Sequence, residues 1–170
     1  MKDVYFQRAV VLLVEHDMEG SMGFVLNKKT DLIVNDFFPE LENVPELPIF
    51  LGGPISSNKL FFIHSLAEPA IPGTFKLKDN LYFDGDFDVL KEIIKSGYPI
   101  EGRVKFFLGY SGWEKGQLKN EIEGNSWMVS HSSTNGLMMA EGEEFWKQSL
   151  ELLGNRYKHW TKFPKDPDLN

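Results

Sequence analysis

The sequence contains no cysteine, which excludes disulfide bonds and catalysis by a thiol. It also lacks any apolar run of the roughly 18 to 20 residues that a membrane-spanning helix requires. Residues 1–6 combine an acidic residue with a short apolar run and show no small-residue cleavage site, so we expect no secretory signal. Together these absences predict a cytoplasmic protein that has no membrane partner.

The chain has fewer basic than acidic residues, and the distribution of the basic residues is relevant to nucleic-acid binding. The chain has 18 Lys and Arg residues against 25 Asp and Glu residues, a net charge of −7 at pH 7. Residues 1–154 carry 14 basic and 23 acidic residues, a net charge of −9, whereas residues 155–170 carry +2. Affinity for nucleic acid comes mainly from Lys and Arg that displace counterions. We therefore do not expect direct DNA binding by so acidic a body.

The length and composition predict one globular domain. The chain has 170 residues, close to the common length of a single domain, and 42% of them are hydrophobic. Strand-like runs come first, and helical periodicity then alternates with strands. We therefore predict an α+β fold over residues 1–154, followed by a tail at residues 155–170.

Hydrophobic periodicity and turn residues locate the predicted elements. Strands are predicted at residues 9–15, 22–26, 49–51, 59–64, 75–83, 103–110 and 126–130. The first two form a hairpin, and the run at 75–83 is itself a small hairpin that turns near residues 78–80. Helices are predicted at residues 32–38, 87–96, 111–123 and 141–153. Asp31, Asp86 and Ser111 are the expected N-caps, and Glu114 completes a capping box with Ser111.

Several ordered motifs resemble those of the YqgE/AlgH family over about residues 4–154. They are VVLLVEH (10–16), GSMGFVLNK (20–28), GGPI (52–55) and LGYSGW (108–113), followed by Gln117, Leu118, Glu121, Ile122, Asn125 and Trp127. The resemblance implies a mostly antiparallel, bifurcated sheet curled into a pseudo-barrel with flanking helices. The family is named for transcriptional regulation on genetic grounds, so the resemblance implies no chemical activity.

This sequence departs from the family pattern in two places. Family members usually have an extra leading strand before the segment at residues 3–6, and the tail after Gly154 is not shared. Without that strand the sheet keeps an unpaired edge, which is a template for pairing with another chain. We therefore expect self-association through the exposed edge.

The segment GYSGW, residues 109–113, raises the question of a hydrolase. A serine between glycines at a strand-to-helix turn is typical of a nucleophile elbow, but the elbow needs a glycine where Trp113 stands. Capping of the following helix gives Ser111 a sufficient structural role. The sequence therefore predicts no catalytic residue, and an unrecognised hydrolase remains an alternative.

Metal and phosphate sites are not predicted either. No close H-x-x-x-H spacing relates the four histidines, which are His16, His64, His131 and His159. The Gly52-Gly53-Pro54 segment lacks the lysine of a P-loop and fits a turn between strands. We expect no metal ion and no cofactor.

The region after Ser111 carries the candidate binding site. Trp113, Gln117 and Glu121 are spaced four residues apart, so they line one face of the predicted helix as a possible groove wall. Alternatively, Trp113 anchors the core, while Gln117 and Glu121 bind loop amides around Asn27 or Asn125. The candidate binding residues are Asn27, Trp113, Gln117, Glu121, Asn125 and Trp127.

The tail alternates basic and aromatic residues over 156–163, a composition that stacks on single-stranded nucleic acid. Aromatic residues after a last helix also fold back over a core. Three functions follow: a non-enzymatic binding or regulatory module for an unknown protein or small ligand, a regulator that binds nucleic acid through the tail, and a hydrolase. The first is the one that we expect.

Overall fold

The computed structural model of this chain describes residues 5–68, 70–154, 157 and 160. The strands among them are β1 (Val11–His16), β2 (Gly20–Val25), β3 (Lys29–Ile33), β4 (Pro48–Leu51), β5 (Ile55–His64), β6 (Phe75–Lys78), β7 (Leu81–Phe83) and β8 (Val104–Glu114). The α-helices are α1 (Phe87–Lys95), α2 (Gln117–Glu123), α3 (Thr134–Met138) and α4 (Gly142–Leu152). Short 3₁₀ turns lie at Val34–Asp36 and Pro39–Leu41. No helix in this part of the chain has both the length and the apolar character needed to cross a bilayer.

Strand β8 is the centre of the sheet and pairs with three other strands. One of its edges runs antiparallel to β5. The opposite edge is shared, because residues 106–108 pair in parallel with β4 and residues 111–114 pair antiparallel with β2. The sheet therefore bifurcates along β8 and curls into a nearly closed, barrel-like form with flanking helices. This confirms the α+β fold predicted from the order of the elements and the bifurcated, curled sheet that the resemblance implied.

Two hydrophobic clusters lie on opposite faces of the sheet. Neighbouring residues of a strand point to opposite sides, so Phe106 enters one cluster and Phe107 the other. The first cluster packs β4, β5 and β8 against α1 through residues that include Ile49, Phe62 and Leu90. The second cluster lies on the other face of the sheet and is rich in aromatic residues, which include Phe24, Phe50, Phe83 and Phe107.

The two hairpins and helix α1 have the structure that the sequence predicts. Strands β1 and β2 form the expected hairpin, and β6 and β7 form the second, with Asp79 at positive φ in its turn. Asp86 caps α1, because its side chain accepts hydrogen bonds from the amides of Asp88 and Val89. Gly97, also at positive φ, follows the end of the helix as expected.

The predicted boundary between strand and helix at Ser111 is wrong. Strand β8 continues through Ser111 to Glu114, and α2 begins only at Gln117, after the left-handed Gly116. Pairing with β2 extends the strand, and this nonlocal contact outweighs the local capping pattern. Ser111 and Glu114 therefore form no capping box, although α2 does end at Gly124 as expected.

Two further elements differ from the sequence prediction. Residues 126–130 form no strand, and the unpredicted helix α3 follows, capped by the Ser133 side chain. Residues 29–33 form strand β3, which contains Asp31, so the expected helix at 32–38 is reduced to a 3₁₀ turn. Helix α4 confirms the last predicted helix. The tail hypothesis concerns residues 155–170, which lie, apart from 157 and 160, outside the described residues.

Candidate functional site

The carboxylate of Glu121 accepts hydrogen bonds from three other candidate binding residues. Trp113 and Trp127 both donate their indole Nε1–H groups to Oε2 of Glu121, at 3.0 and 2.7 Å. Gln117 donates its side-chain amide to Oε1 of the same carboxylate at 2.9 Å. Four of the six predicted site residues therefore form one hydrogen-bonded group.

Phe6 completes this group from the amino-terminal segment. Its ring lies 5.4 Å from the Trp127 ring and 6.1 Å from the Trp113 ring, and the two indoles lie 5.8 Å apart. The contact between Phe6 and Trp127 is edge-to-face, and contacts of this kind contribute stability beyond that gained by burying the rings. We call Phe6, Trp113, Gln117, Glu121 and Trp127 the Glu121 cluster.

The local fold explains why these side chains meet. Trp113 lies near the end of β8 and is buried, while α2 starts four residues later and runs back past its ring. Gln117 also accepts a hydrogen bond from the Glu114 amide, which secures the first turn of a helix that lacks a side-chain cap. Gln117 and Glu121 are one helical turn apart, as the spacing predicted, but Trp113 reaches them from a strand.

The environment of Glu121 favours the ionised carboxylate. Burial is the largest influence and by itself raises the pKa, but the hydrogen bonds from Gln117, Trp127 and Trp113 together outweigh it. The pKa of Glu121 is therefore held below its ordinary value. Within the described residues no Lys or Arg forms an ion pair with Glu121, so three uncharged donors stabilise this anion.

Asn27 and Asn125 do not join the Glu121 cluster. Asn27 is buried, donates to the carbonyls of Arg8 and Gly142, and accepts from the Val10 amide. It therefore ties three segments of the chain together, which is a structural role. Asn125 is exposed and adopts a positive φ of 57° just after α2. The alternative interpretation is therefore correct for the buried Trp113 and for the binding of a backbone amide by Gln117, but that amide belongs to Glu114 and not to the surroundings of either asparagine.

Ser111 lies inside the sheet rather than at an exposed turn. It is fully buried, and its hydroxyl donates to the Gly52 carbonyl at 3.0 Å. A Cβ placed on Gly53 would lie 2.4 Å from Oγ of Ser111, so this close approach of two strands requires glycine. Gly52 and Gly53 thus form the expected turn, between β4 and β5, and Ser111 bonds to no histidine among the described residues.

The histidines of the described region are not gathered into one site. His16 bonds to Ser21 across the β1–β2 hairpin, at 2.7 Å between Nδ1 and Oγ, whereas His64 is buried against Tyr82. No group of three or more potential metal ligands occurs in the part of the chain that the structure describes.

The structure also contains a buried lysine that was not among the residues predicted from the sequence. Lys105 lies on β8 with 4% of its surface exposed, donates to the Ala140 carbonyl, and places Nζ 3.8 Å from the centre of the Phe50 ring. Burial lowers its pKa to about 7, although the charge of Glu141 opposes the shift. The available signal was a lysine within the otherwise apolar run from Val104 to Leu108.

Comparisons with known proteins give consistent results. Residues 1–158 match the family described as AlgH-like. A "UPF0301 protein" of Parabacteroides distasonis is 64% identical over 170 residues, which are 100% of this chain and 86% of that protein. A "UPF0301 protein" of Bacteroides fragilis is 45% identical with the same coverage.

Two solved structures resemble the fold. The solution structure of the AlgH protein from Pseudomonas aeruginosa has a TM-score of 0.73 and 27% identity, and covers 96% of this chain and 88% of that chain. A crystal structure of a Corynebacterium diphtheriae protein has a TM-score of 0.75 at 21% identity, with 96% and 86% coverage. The second likeness concerns the fold alone.

Proposed function

The chain belongs to the AlgH-like family, and we propose that it is a non-enzymatic binding or regulatory module. Its binding surface is the Glu121 cluster, and the group that it recognises is a cation, such as a lysine or arginine side chain of a partner protein. The observation that supports this most is the ionised Glu121 carboxylate, which is held in place by neutral donors and has no Lys or Arg partner among the described residues.

The geometry of the carboxylate supports recognition of a donor from outside. Oε2 accepts two indole hydrogen bonds, whereas Oε1 accepts one, from Gln117. A carboxylate has about four acceptor positions, so Oε1 retains capacity for another donor. Hydrogen bonds between a cation and a carboxylate are roughly twice as strong as those between neutral groups.

The surroundings of the carboxylate also suit a cation. Gln117 is exposed, and Glu121 and Trp127 are half-buried, so the cluster reaches the surface. Indole faces attract ammonium and guanidinium groups, which adds to the attraction of the carboxylate. Residues 1–154 carry a net charge of −9, so long-range attraction also favours a basic partner.

A paired substitution on α2 tests the proposal. We expect Glu121→Gln to lose a partner that wild type retains in pull-downs from the native host, because the amide keeps the shape but removes the charge. Glu123→Gln, which removes an exposed charge from the same helix, should retain it. Binding of the purified partner should weaken about tenfold or more for Glu121→Gln, as expected for a hydrogen bond between charged groups.

The same experiment distinguishes the proposal from its alternatives. If the two variants bind the purified partner equally well, the Glu121 cluster is not the binding surface. If the retained partner lacks an exposed Lys or Arg whose removal weakens binding, recognition of a cation is wrong. Hydrolytic turnover that disappears in Ser111→Ala would favour the enzyme instead.

A further inference from the structure

A second part of the surface, which shares no residue with the Glu121 cluster, combines a recess with polar and charged side chains. A cleft of about 410 Å³ lies where the β6–β7 turn, the start of β8 and α3 meet. Its size is within the range of about 300 to 1,000 Å³ that is common for small-molecule sites. Most of the residues that line it have polar or charged side chains, among them Ser65, Asp79, Asn80, Arg103, Thr134 and Asn135. We call this the Arg103 cleft.

The guanidinium of Arg103 is held in a fixed orientation. Its Nη1 donates to the Tyr98 hydroxyl at 3.0 Å, and the guanidinium carbon lies 5.2 Å from the centre of the same ring. The Tyr98 hydroxyl in turn donates to the Glu68 carbonyl at 2.6 Å. The backbone is secured as well, because the Ser65 amide donates to the Arg103 carbonyl. One end of the guanidinium is therefore fixed before any ligand arrives.

The guanidinium of Arg103 has further N–H groups that can bind a ligand. An arginine carries five N–H donors, and Tyr98 is the only side chain of the described region that receives one from Arg103. No carboxylate in that region lies within ion-pair distance of Arg103, although Asp79 lines the same cleft. Two charges of opposite sign therefore line one cleft without pairing with each other.

We propose that the Arg103 cleft binds a small metabolite that is anionic at one end and donates hydrogen bonds at the other. Arg103 contacts the anionic group, a carboxylate or a phosphate, since the guanidinium matches both bidentately. Asp79 accepts from a hydroxyl or ammonium group of the same molecule. The side-chain amides of Asn80 and Asn135 supply adaptable donors and acceptors between these two contacts.

Titration with matched probes tests the proposal by NMR of the 15N-labelled chain. Inorganic phosphate is compared with glycerol 3-phosphate, and acetate with serine, because the second member of each pair adds donors to the same kind of anion. We expect the amides of Gly102 and Arg103 to shift, and the second member of at least one pair to bind more tightly. The pair that shows this gain identifies the anion.

Three variants of the cleft and one control separate the contributions of its residues to binding. Arg103→Gln should weaken binding of the tighter probe about tenfold or more, whereas Lys119→Gln, which removes one exposed positive charge from α2, should leave it unchanged. Asp79→Asn should reduce the advantage of the probe that carries donors. Asn135→Ala weakens binding without touching Tyr98, so it tests the cleft even if Arg103→Gln is unstable.

Other outcomes overturn the proposal. If none of the four probes shifts the amides of the cleft at millimolar concentration, the cleft is not a site for such a metabolite. Equal binding by wild type and Asn135→Ala, combined with equal binding by a folded Arg103→Gln, would have the same meaning. Shifts confined to exposed lysines would show only nonspecific attraction of anions.

Discussion

Individual residues of this fold carry charge in places where charge is costly. Lys105 lies in the second cluster, which is rich in aromatic residues, and its ammonium has one carbonyl and one aromatic ring as partners. Glu121 is stabilised in a different way, by three neutral hydrogen bonds. The two residues therefore have opposite relations to stability, since burial penalises the charged lysine whereas the donors favour the charged glutamate.

Replacing Lys105 with methionine should stabilise the protein in a pH-dependent manner. Its pKa is lowered to about 7 in the folded protein from a reference value of 10.5, so the unfolded chain binds more protons between these values. The penalty that the buried Lys105 imposes on the free energy of unfolding of the wild type therefore becomes smaller as the pH rises from 7 towards 10. Lys105→Met, which removes the buried charge, should gain about 1 to 4 kcal/mol at pH 6 and less at pH 9, measured by urea unfolding.

A control and a contrary result are available for this prediction. Lys119→Met removes an exposed lysine from α2, and its effect should be the same at both pH values. If the gain from Lys105→Met does not shrink between pH 6 and pH 9, the lysine is charged in the folded state throughout.

At the scale of elements, β8 and α2 are joined by the Glu121 cluster. Trp113 is 6% exposed and contacts Phe6 and Trp127 as well as Glu121. Trp113→Ala should therefore lower the free energy of unfolding by about 3 to 5 kcal/mol, the usual loss for a large buried aromatic. Trp113→Phe keeps one aromatic ring and loses the indole donor with the second ring, so it should cost less than Trp113→Ala in the same measurement.

The exposed Phe37 provides the comparison for the loss of an aromatic side chain. Because 54% of its surface is accessible, Phe37→Ala should change stability little. A cost below about 1 kcal/mol for Trp113→Ala would show that the cluster does not hold β8 to α2.

The elements that the sequence predicted correctly are those with strong local signals. Helix α1 has an N-cap, a core-facing stripe and a terminal glycine, and all three are found in the fold. The extension of β8 through Ser111 has no local signal, because it depends on pairing with β2, some 90 residues earlier. The spacing grouped Trp113, Gln117 and Glu121 correctly but could not place Trp113 on a strand. Nothing local indicated that Trp127 would reach Glu121 or that Asn27 would bind Gly142.

The bifurcated sheet of the whole molecule has three edge strands. Among the described strands, β1 pairs only with β2, β3 only with β4, and β6 only with β7. The Leu26 amide donates to the Val10 carbonyl, so the alternation of an antiparallel ladder turns the amides of Val11 and Leu13 outwards. Leu13 is also 40% exposed. Self-association through an edge therefore stays a prediction, and β1 is the edge that we expect to pair.

Sedimentation velocity over a range of concentrations tests this edge. Wild type should form dimers as concentration rises, and Leu13→Lys should shift the equilibrium towards monomer, because charge on an edge strand opposes pairing between chains. Phe75→Lys places the same charge on β6, another edge strand, at a side chain that is 62% exposed, and should leave the dimer unchanged. A wild-type chain that stays monomeric, or a dimer lost only in Phe75→Lys, would exclude pairing through β1.

The position of β8 in the chain also determines when the protein can fold during synthesis. Strands β2, β4 and β5 all pair with β8, which ends at residue 114. Translation proceeds from the amino terminus, so these three strands leave the ribosome before their common partner exists. Until then their apolar faces, which include Phe24, Phe50 and Phe62, lack the strand that buries them. The nascent chain therefore offers ribosome-associated chaperones a long interval for binding, which ends when β8 emerges.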